Sequence, residues 1–147
     1  MSEYYFAYGS NMNPDRMRDR ELQVVDKCSG LIRDLTLKFN KKDGPTFGHA
    51  SVHFSRQSVV EGVLYKLKSQ EEIKKLDVYE TTPILYSRDL FPVETSQGVI
   101  YAWTYIANDA ALGKNLLPEA WYLNHLLAGK PWLSDEYFQY LSTFKQA

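Results

Sequence analysis

The feature that most constrains this chain is a run of aromatic residues near its beginning that leads directly into a small polar turn. Residues Tyr4–Tyr8 are all aromatic or small and apolar, and this composition favours a strand buried on both faces. The next residues, Gly9-Ser10-Asn11, are typical of a tight turn, because glycine adopts positive φ and Ser and Asn bond to nearby backbone. Backbone N–H groups in such a turn can face an anionic or carbonyl oxygen. The junction of strand and turn is therefore a candidate functional site.

A short helix is predicted immediately after the turn. Asn13 is a suitable N-cap, Pro14 suits the first helical position, and Asp15 suits the first turn. A strand, a glycine turn and a helix N-terminus can form a cradle for an oxyanion or a carboxylate. The same residue types also make an ordinary strand-to-helix connection. Within the predicted helix, Met12–Arg20, the charged side chains are expected to face solvent: Arg16, Arg18, Asp19 and Arg20.

Length, charge and cysteine content narrow the class of protein. The 147 residues are expected to form one domain, 1-147. With 17 basic and 18 acidic residues the net charge is -1, so no overall field indicates binding to nucleic acid or to an anionic membrane. Cys28 is the single cysteine, and the sequence has neither a signal-peptide pattern at its start nor the run of about 18 apolar residues that spans a bilayer. We expect a cytoplasmic protein.

Alternating apolar residues predict strands in the first half of the chain. The residues that share a face are Leu35, Leu37 and Phe39 in one stretch, and Ala50, Val52 and Phe54 in the next. His49 and His53 share the opposite face, but residues four apart on a strand are separated by about 13 Å, too far to hold one metal ion. His125 is the only other histidine, and no metal site is predicted. Another strand is predicted over Val59–Leu67, where Gly62 indicates a bulge or a close backbone approach.

Glu80 is an acidic residue on the apolar side of a predicted helix. That helix begins after Ser69, which forms a capping box with Glu72. Glu80 lies about two turns after Ile73, on the stripe that should be buried. Burial would raise the pKa of the carboxyl group and let it take and return a proton near neutral pH. Two alternatives stay open: Glu80 lies beyond the helix end and faces water, or Asp77 has this role. The other charged residues of the helix are expected at the surface: Glu71, Glu72, Lys74 and Lys75.

The second half of the chain is predicted to complete the sheet. Ser96-Gln97-Gly98 is a hairpin turn that leads into a strand over Val99–Ile106. Helices are predicted over Pro118–Ala128 and after the N-cap Ser134. Four aromatic residues of this half either line a pocket or simply pack: Tyr86, Tyr101, Trp103 and Tyr105.

Two segments together resemble a known family. They are Tyr8-Gly9-Ser10-Asn11-Met12 after an N-terminal strand, and Val60-Glu61-Gly62-Val63-Leu64-Tyr65 running into Leu76-Asp77-x-Tyr79-Glu80. This combination is similar to the gamma-glutamylcyclotransferase-like family, which includes gamma-glutamylamine cyclotransferases and AIG2-like plant proteins. The likeness covers nearly the whole chain, from Tyr4 to about Gly129. It implies an α+β fold, a small mixed β-barrel with flanking helices and a cavity floored by the first loop.

The resemblance also implies roles for individual residues. Glu80 is implied as the catalytic acid and base. The residues implied to bind the glutamyl part of the substrate are Tyr8, Gly9, Ser10, Asn11, Met12 and Tyr86. The chain departs from the family pattern just after the glutamate. The family often has a glycine there, whereas this chain has Thr81-Thr82-Pro83 at the expected edge of the pocket.

The implied reaction requires few protein groups. In a gamma-glutamyl amide the substrate's own α-amine attacks the γ-carbonyl, giving 5-oxoproline and a free amine, so no cofactor, metal or protein nucleophile is expected. One glutamate can move the proton, while donors of the Gly9–Asn11 loop either stabilise the oxyanion or bind the α-carboxylate. The expected partner is a small gamma-glutamyl molecule, and the chain is expected to be a monomer or a homodimer. Two alternatives are a hydrolase or deacylase that uses the same site, and a small-molecule binding protein without activity.

Overall fold

The computed structural model describes residues 3–147 and shows a closed barrel of five strands. The strands are β1 (Glu3–Ala7), β2 (Val24–Asp43), β3 (Phe47–Leu67), β4 (Tyr86–Thr95) and β5 (Gly98–Ala107). Around the barrel they follow the order β1-β3-β2-β4-β5. Neighbouring strands are antiparallel, except that β5 runs parallel to β1 and closes the barrel there. The predicted small mixed β-barrel is confirmed.

Four α-helices flank this barrel in the described part of the chain. They are α1 (Pro14–Asp19), α2 (Gln70–Tyr79), α3 (Ala120–Leu127) and α4 (Asp135–Ser142). The predicted caps are found for α1 and α4: Asn13 accepts from the Asp15 N–H, and Ser134 accepts from the Tyr137 N–H. None of the helices within residues 3–147 combines the length and the apolar character needed to cross a membrane.

The strands β2 and β3 are longer than the sequence pattern predicts. They contain 20 and 21 residues and form one antiparallel ribbon. The pairing shifts between Arg33 and Leu35, where Asp34 has a φ of 64°, as expected of a bulge that bends a long strand. Phe54 follows Ala50 and Val52 in the apolar alternation, but the ribbon leaves the core near this residue, and the Phe54 side chain is 78% exposed.

A glycine lets β1 pack tightly against β3. A Cβ on Gly62 would overlap the carbonyl oxygen of Ala7 and lie 2.9 Å from the ring of Phe6. Gly62 therefore permits the close backbone approach that the sequence predicts. This contact fixes the end of β1, from which the first loop continues.

The N-terminus of α2 differs from the predicted capping box. Ser69 caps the helix, but its hydroxyl accepts from the N–H of Glu71 at 3.3 Å. The carboxylate of Glu72 does not reach back to Ser69; it accepts from the N–H of Gln23 at 2.7 Å and from Lys75 at 3.0 Å. The expectation that Glu72 is solvated is also wrong, because the residue is only 4% exposed. A tertiary contact with the chain before β2 has replaced the local cap.

Candidate active site

The first loop begins where β1 ends. Residues Ser10–Met12 form a single 3₁₀ turn, and Asn13 then caps α1 with Pro14 at its first position. A Cβ on Gly9 would lie 3.3 Å from the Ala50 Cβ and 3.4 Å from the Tyr122 hydroxyl. Glycine is therefore the residue that lets this loop lie directly against β3 and α3.

Asn11 is the residue that ties the loop to the barrel. The Tyr65 hydroxyl donates to the Asn11 carbonyl at 2.7 Å, and the Asn11 amide donates to the Tyr5 hydroxyl at 3.0 Å. The Asn11 side-chain oxygen accepts from Arg20 at 3.2 Å. Asn11 is buried, so these bonds satisfy polar groups that have little access to water. By contrast, no acceptor within residues 3–147 takes the backbone N–H of Gly9, Ser10 or Asn11.

The loop forms one wall of a cavity of about 190 Å³. The cavity brings together Tyr8, Gly9, Ser10, Asn11, Glu80 and Tyr86, as well as Tyr5, Arg16, Arg20, Lys41, His49, Ala50, Tyr79, Thr81, Leu85, Tyr105 and Tyr122. Of the residues implied by the family resemblance, only Met12 lies elsewhere. Its side chain is fully buried beside Gly129 in the core and does not reach the cavity. Its position next to the loop in the sequence reflects packing, and a role for Met12 in contacting substrate is not supported.

Glu80 directly follows the last residue of α2, and it faces the cavity. It is the C-cap, with its N–H donating to the Leu76 carbonyl at 2.9 Å, so it does lie beyond the last helical residue. The chain nevertheless turns its side chain into the cavity rather than to bulk water. Burial raises the pKa of Glu80, and the nearby cations Arg20, Lys41 and Arg16 act in the opposite direction. The result is a carboxylate that is costly to ionise but is surrounded by positive charge.

Asp77, the other candidate acid, has a structural role. It does not line the cavity; its two oxygens accept from Arg88 at 2.8 and 3.1 Å. One of them also accepts from the Tyr105 hydroxyl at 2.7 Å. These three charge-assisted or phenolic hydrogen bonds occupy both oxygens of the carboxylate. Asp77 thus fixes Tyr105 in the cavity wall, and of the two candidate acids only Glu80 lines the cavity.

Tyrosine hydroxyl groups surround the cavity, and they differ in whether the O–H hydrogen is free to be donated to a ligand. The Tyr8 hydroxyl donates to the Tyr105 carbonyl at 2.6 Å, and the Tyr86 hydroxyl donates to the Ala50 carbonyl at 2.8 Å. The Tyr122 hydroxyl instead accepts from the Ala50 N–H at 2.8 Å, as the Tyr5 hydroxyl accepts from Asn11. Burial raises the pKa of all four phenols, so they stay neutral. Of these four, Tyr5 and Tyr122 are therefore the two whose hydroxyl hydrogen can be donated to a ligand.

The aromatic residues of β5 divide between the cavity and the outer surface. Tyr105 lines the cavity. Tyr101 is 64% exposed, and Trp103 lies beneath the Arg88 guanidinium, 4.2 Å from the ring centroid. Of the four aromatic residues that the sequence left undecided, only Tyr86 and Tyr105 belong to the pocket.

Three cationic residues line the cavity that the sequence patterns did not assign to the site. The expectation that Arg16 and Arg20 are solvated is wrong: Arg16 Nε donates to the Ser10 hydroxyl at 3.1 Å, Arg20 bonds Asn11, and both line the cavity. The composition of Lys41-Lys42-Asp43-Gly44-Pro45 predicts a turn, but Lys41 lies within β2 and is only 8% exposed. Signals for these residues did exist. Arg16 and Arg20 are one helical turn apart, and Lys41 continues the buried alternation of Leu37 and Phe39.

Among the described residues, no three or more His, Cys, Asp or Glu side chains lie close enough together to hold a metal ion. His49 contacts Asp43 at 3.2 Å and stacks on the ring of Tyr122. Burial lowers the pKa of His49, so it is a neutral member of the cavity wall.

Comparisons with known proteins agree with this architecture. A family model described as "Gamma-glutamyl cyclotransferase, AIG2-like" matches residues 5–124. A solved structure named gamma-glutamyl cyclotransferase has a TM-score of 0.86 at 25% identity, over 100% of this chain and 90% of that one. An uncharacterized human protein also reaches 0.86 at 25% identity, over 99% of this chain and 89% of its own.

More distant structures share the fold alone. A yeast gamma-glutamyl cyclotransferase described as specific to glutathione has a TM-score of 0.66 at 12% identity, over 95% of this chain and 93% of that one. No curated protein sequence matches significantly. The family match extends over most of the chain and includes β1, the first loop, Glu80 and the pocket tyrosines. This chain therefore belongs to the gamma-glutamyl cyclotransferase, AIG2-like family and is a cyclotransferase-like enzyme.

Proposed function

We propose that this protein converts gamma-glutamyl amides into 5-oxoproline and a free amine. The α-amine of the substrate attacks its own γ-carbonyl, a new C–N bond closes the five-membered ring, and the bond to the departing nitrogen breaks. The α-ammonium loses two protons as it becomes the ring N–H, and both pass to the departing nitrogen, which leaves as the ammonium form of the free amine. The reaction needs no water and no protein nucleophile, which agrees with a site built from one acid, several donors and three cations.

The single observation that carries the proposal is the carboxylate of Glu80 in the same cavity as the first loop. As a base, Glu80 takes a proton from the α-ammonium, and as an acid it returns the proton to the leaving nitrogen. Burial raises the pKa of this group toward the range in which both steps are possible, while Arg20, Lys41 and Arg16 keep the ionised form accessible. An acid that was simply exposed would give up its proton more readily than it would return it.

The loop and its cations are suited to the negative charges of the substrate. The backbone N–H groups of Gly9, Ser10 and Asn11 have no acceptor within residues 3–147, and Arg16 and Arg20 are bonded directly to side chains of this loop. We assign the α-carboxylate of the glutamyl group to this wall, since charge-assisted hydrogen bonds to carboxylates are strong. Tyr5 and Tyr122 then supply phenolic donors for the developing oxyanion on the γ-carbonyl.

Glu80→Gln tests the proposal directly. The substitution keeps the shape of the side chain but removes its ability to carry a proton, and we expect kcat to fall by about 10²- to 10⁴-fold. Wild type and variant are incubated with gamma-glutamyl dipeptides, and both 5-oxoproline and glutamate are measured by mass spectrometry. Oxoproline from wild type alone supports the proposal. Release of glutamate instead would identify a hydrolase, and full activity in Glu80→Gln would refute the role of this residue.

A further inference from the structure

Lys41 is a buried cation that forms no ion pair within residues 3–147. It lies on β2, where the pairing with β3 shifts after Lys38 and resumes at Lys41 opposite His49. The residue is 8% exposed, lines the cavity, and has its Nζ 5.8 Å from the centroid of the Tyr86 ring.

The other two cations of the cavity differ from Lys41 in their hydrogen bonds to the first loop. Arg16 and Arg20 are hydrogen-bonded to Ser10 and Asn11, so they belong to the wall formed by the first loop. Asp43, which follows Lys41 on β2, is in contact with His49 instead. Lys41 therefore brings a positive charge to the cavity independently of the loop.

The charges of the cavity do not balance without a ligand. Arg16, Arg20 and Lys41 supply three positive charges against the single carboxylate of Glu80 among the lining residues. Holding an unpaired ammonium group away from bulk water is costly, unless a ligand brings a compensating charge. A gamma-glutamyl substrate offers one carboxylate on its glutamyl part, which the loop wall can bind. A second carboxylate would have to belong to the leaving group.

The position of Lys41 favours the leaving group over the glutamyl part. The loop continues from β1, whereas Lys41 is on β2, and these two strands are not neighbours in the barrel. Arg16 and Arg20 are already bonded to loop residues, so a glutamyl carboxylate held by the loop wall leaves Lys41 available for another group of the substrate. Tyr86 beneath the ammonium group helps to hold the Lys41 side chain in place, as expected of a cation over an aromatic ring.

We propose that Lys41 binds a carboxylate of the leaving group, so that the enzyme prefers gamma-glutamyl amino acids or peptides over gamma-glutamyl derivatives of amines that lack a carboxylate. This inference rests on the proposed function. It makes Lys41 a residue that determines specificity and leaves proton transfer to Glu80. The substrate then carries two carboxylates, one for the loop wall and one for Lys41.

Two substrates that differ by one charge test the inference. Gamma-glutamyl-alanine and gamma-glutamyl-alaninamide have the same size, but only the first has a carboxylate on its leaving group. The kcat/KM for oxoproline formation is measured for both with wild type, Lys41→Gln and Lys41→Arg. Lys42→Gln, on the neighbouring exposed residue, is the matched control. A charge-assisted hydrogen bond corresponds to a preference of about 10- to 100-fold for the acid.

The expected pattern is specific to the leaving group. Wild type and Lys42→Gln prefer the acid, Lys41→Gln loses this preference mainly through a higher KM for the acid, and Lys41→Arg recovers part of it. Equal loss on both substrates would place Lys41 at the glutamyl carboxylate and overturn the inference. Equal turnover of both substrates by wild type would overturn it without any variant. If wild type forms oxoproline from neither substrate, the proposed function itself is refuted. Comparing the acid with the amide therefore distinguishes a failure of this inference from a failure of the proposed function.

Discussion

Removing the hydroxyl group of Tyr65 should loosen the first loop without changing any side chain that lines the cavity. Tyr65 is fully buried on β3 and does not line the cavity, and its hydroxyl donates to the Asn11 carbonyl at 2.7 Å. Tyr65→Phe keeps the ring, which stacks on Tyr5 with centroids 6.1 Å apart. The substitution therefore deletes one hydrogen bond and leaves a buried carbonyl without its donor.

The cost follows from that buried acceptor. A buried group left without its partner costs about 1–3 kcal/mol, and for a chain of this length each kcal/mol lowers Tm by about 2–4 °C. We expect Tyr65→Phe to unfold at lower urea concentration with an unchanged slope. Because Asn11 positions the N–H groups of the loop, kcat/KM for oxoproline formation should also fall, by about tenfold.

Tyr101→Phe is the matched control. Tyr101 is 64% exposed on β5, so removing its hydroxyl group leaves a space that solvent fills. It should unfold like wild type and keep full activity. If Tyr65→Phe were as stable as Tyr101→Phe, the bond to Asn11 would contribute nothing. If it lost stability but kept full activity, the loop would be positioned by something other than Tyr65.

Two further predictions concern the residues beside Glu80. Thr81 has a φ of 52°, a left-handed conformation that strains a β-branched residue. Thr81→Gly should therefore raise the stability to urea by about 1 kcal/mol, whereas Thr81→Ala should not. Equal stability of the two variants would contradict this account. Burial raises the pKa of Glu80, and Arg20 is the cation that most opposes this. Activity requires the ionised base and is lost as pH falls through that pKa, so Arg20→Gln should move the acid limb of kcat/KM to higher pH. Arg20→Lys keeps the charge and should leave the limb close to its original position; a limb that stays in place in both variants would exclude Arg20 as the cause.

The sequence predicts local features of this protein well. The strand, the glycine turn and the Asn13–Pro14 helix start are encoded by adjacent residues, and all three are present. The inward Glu80 was also accessible, because a polar residue on an apolar stripe stands out at helical spacing. The same reasoning with strand spacing would have found Lys41 after Leu37 and Phe39, had the strand been extended into the supposed turn.

The features that local sequence patterns did not predict are determined by long-range contacts. Glu72 satisfies the local pattern of a capping box, but the N–H of Gln23 competes for its carboxylate. Asp77 and Glu80 both fall near the buried stripe, and only the position of Arg88 on β4 decides that Asp77 is paired. The conformation of Thr81 depends on the turn after Glu80, where the chain takes a left-handed residue, a position that glycine fits best and that this chain fills with threonine.

The closure of the barrel between β1 and β5 has a consequence for how the enzyme forms. The hydroxyl group of Tyr8 bonds the carbonyl of Tyr105, 97 residues further along the chain. During synthesis the first loop therefore leaves the ribosome early, while the strand that completes the cavity emerges much later. Until then β1 is an aromatic segment without its final neighbour, and closing so long a loop carries an entropic cost and favours slow folding. Activity should consequently appear only at the last stage of folding, together with barrel closure.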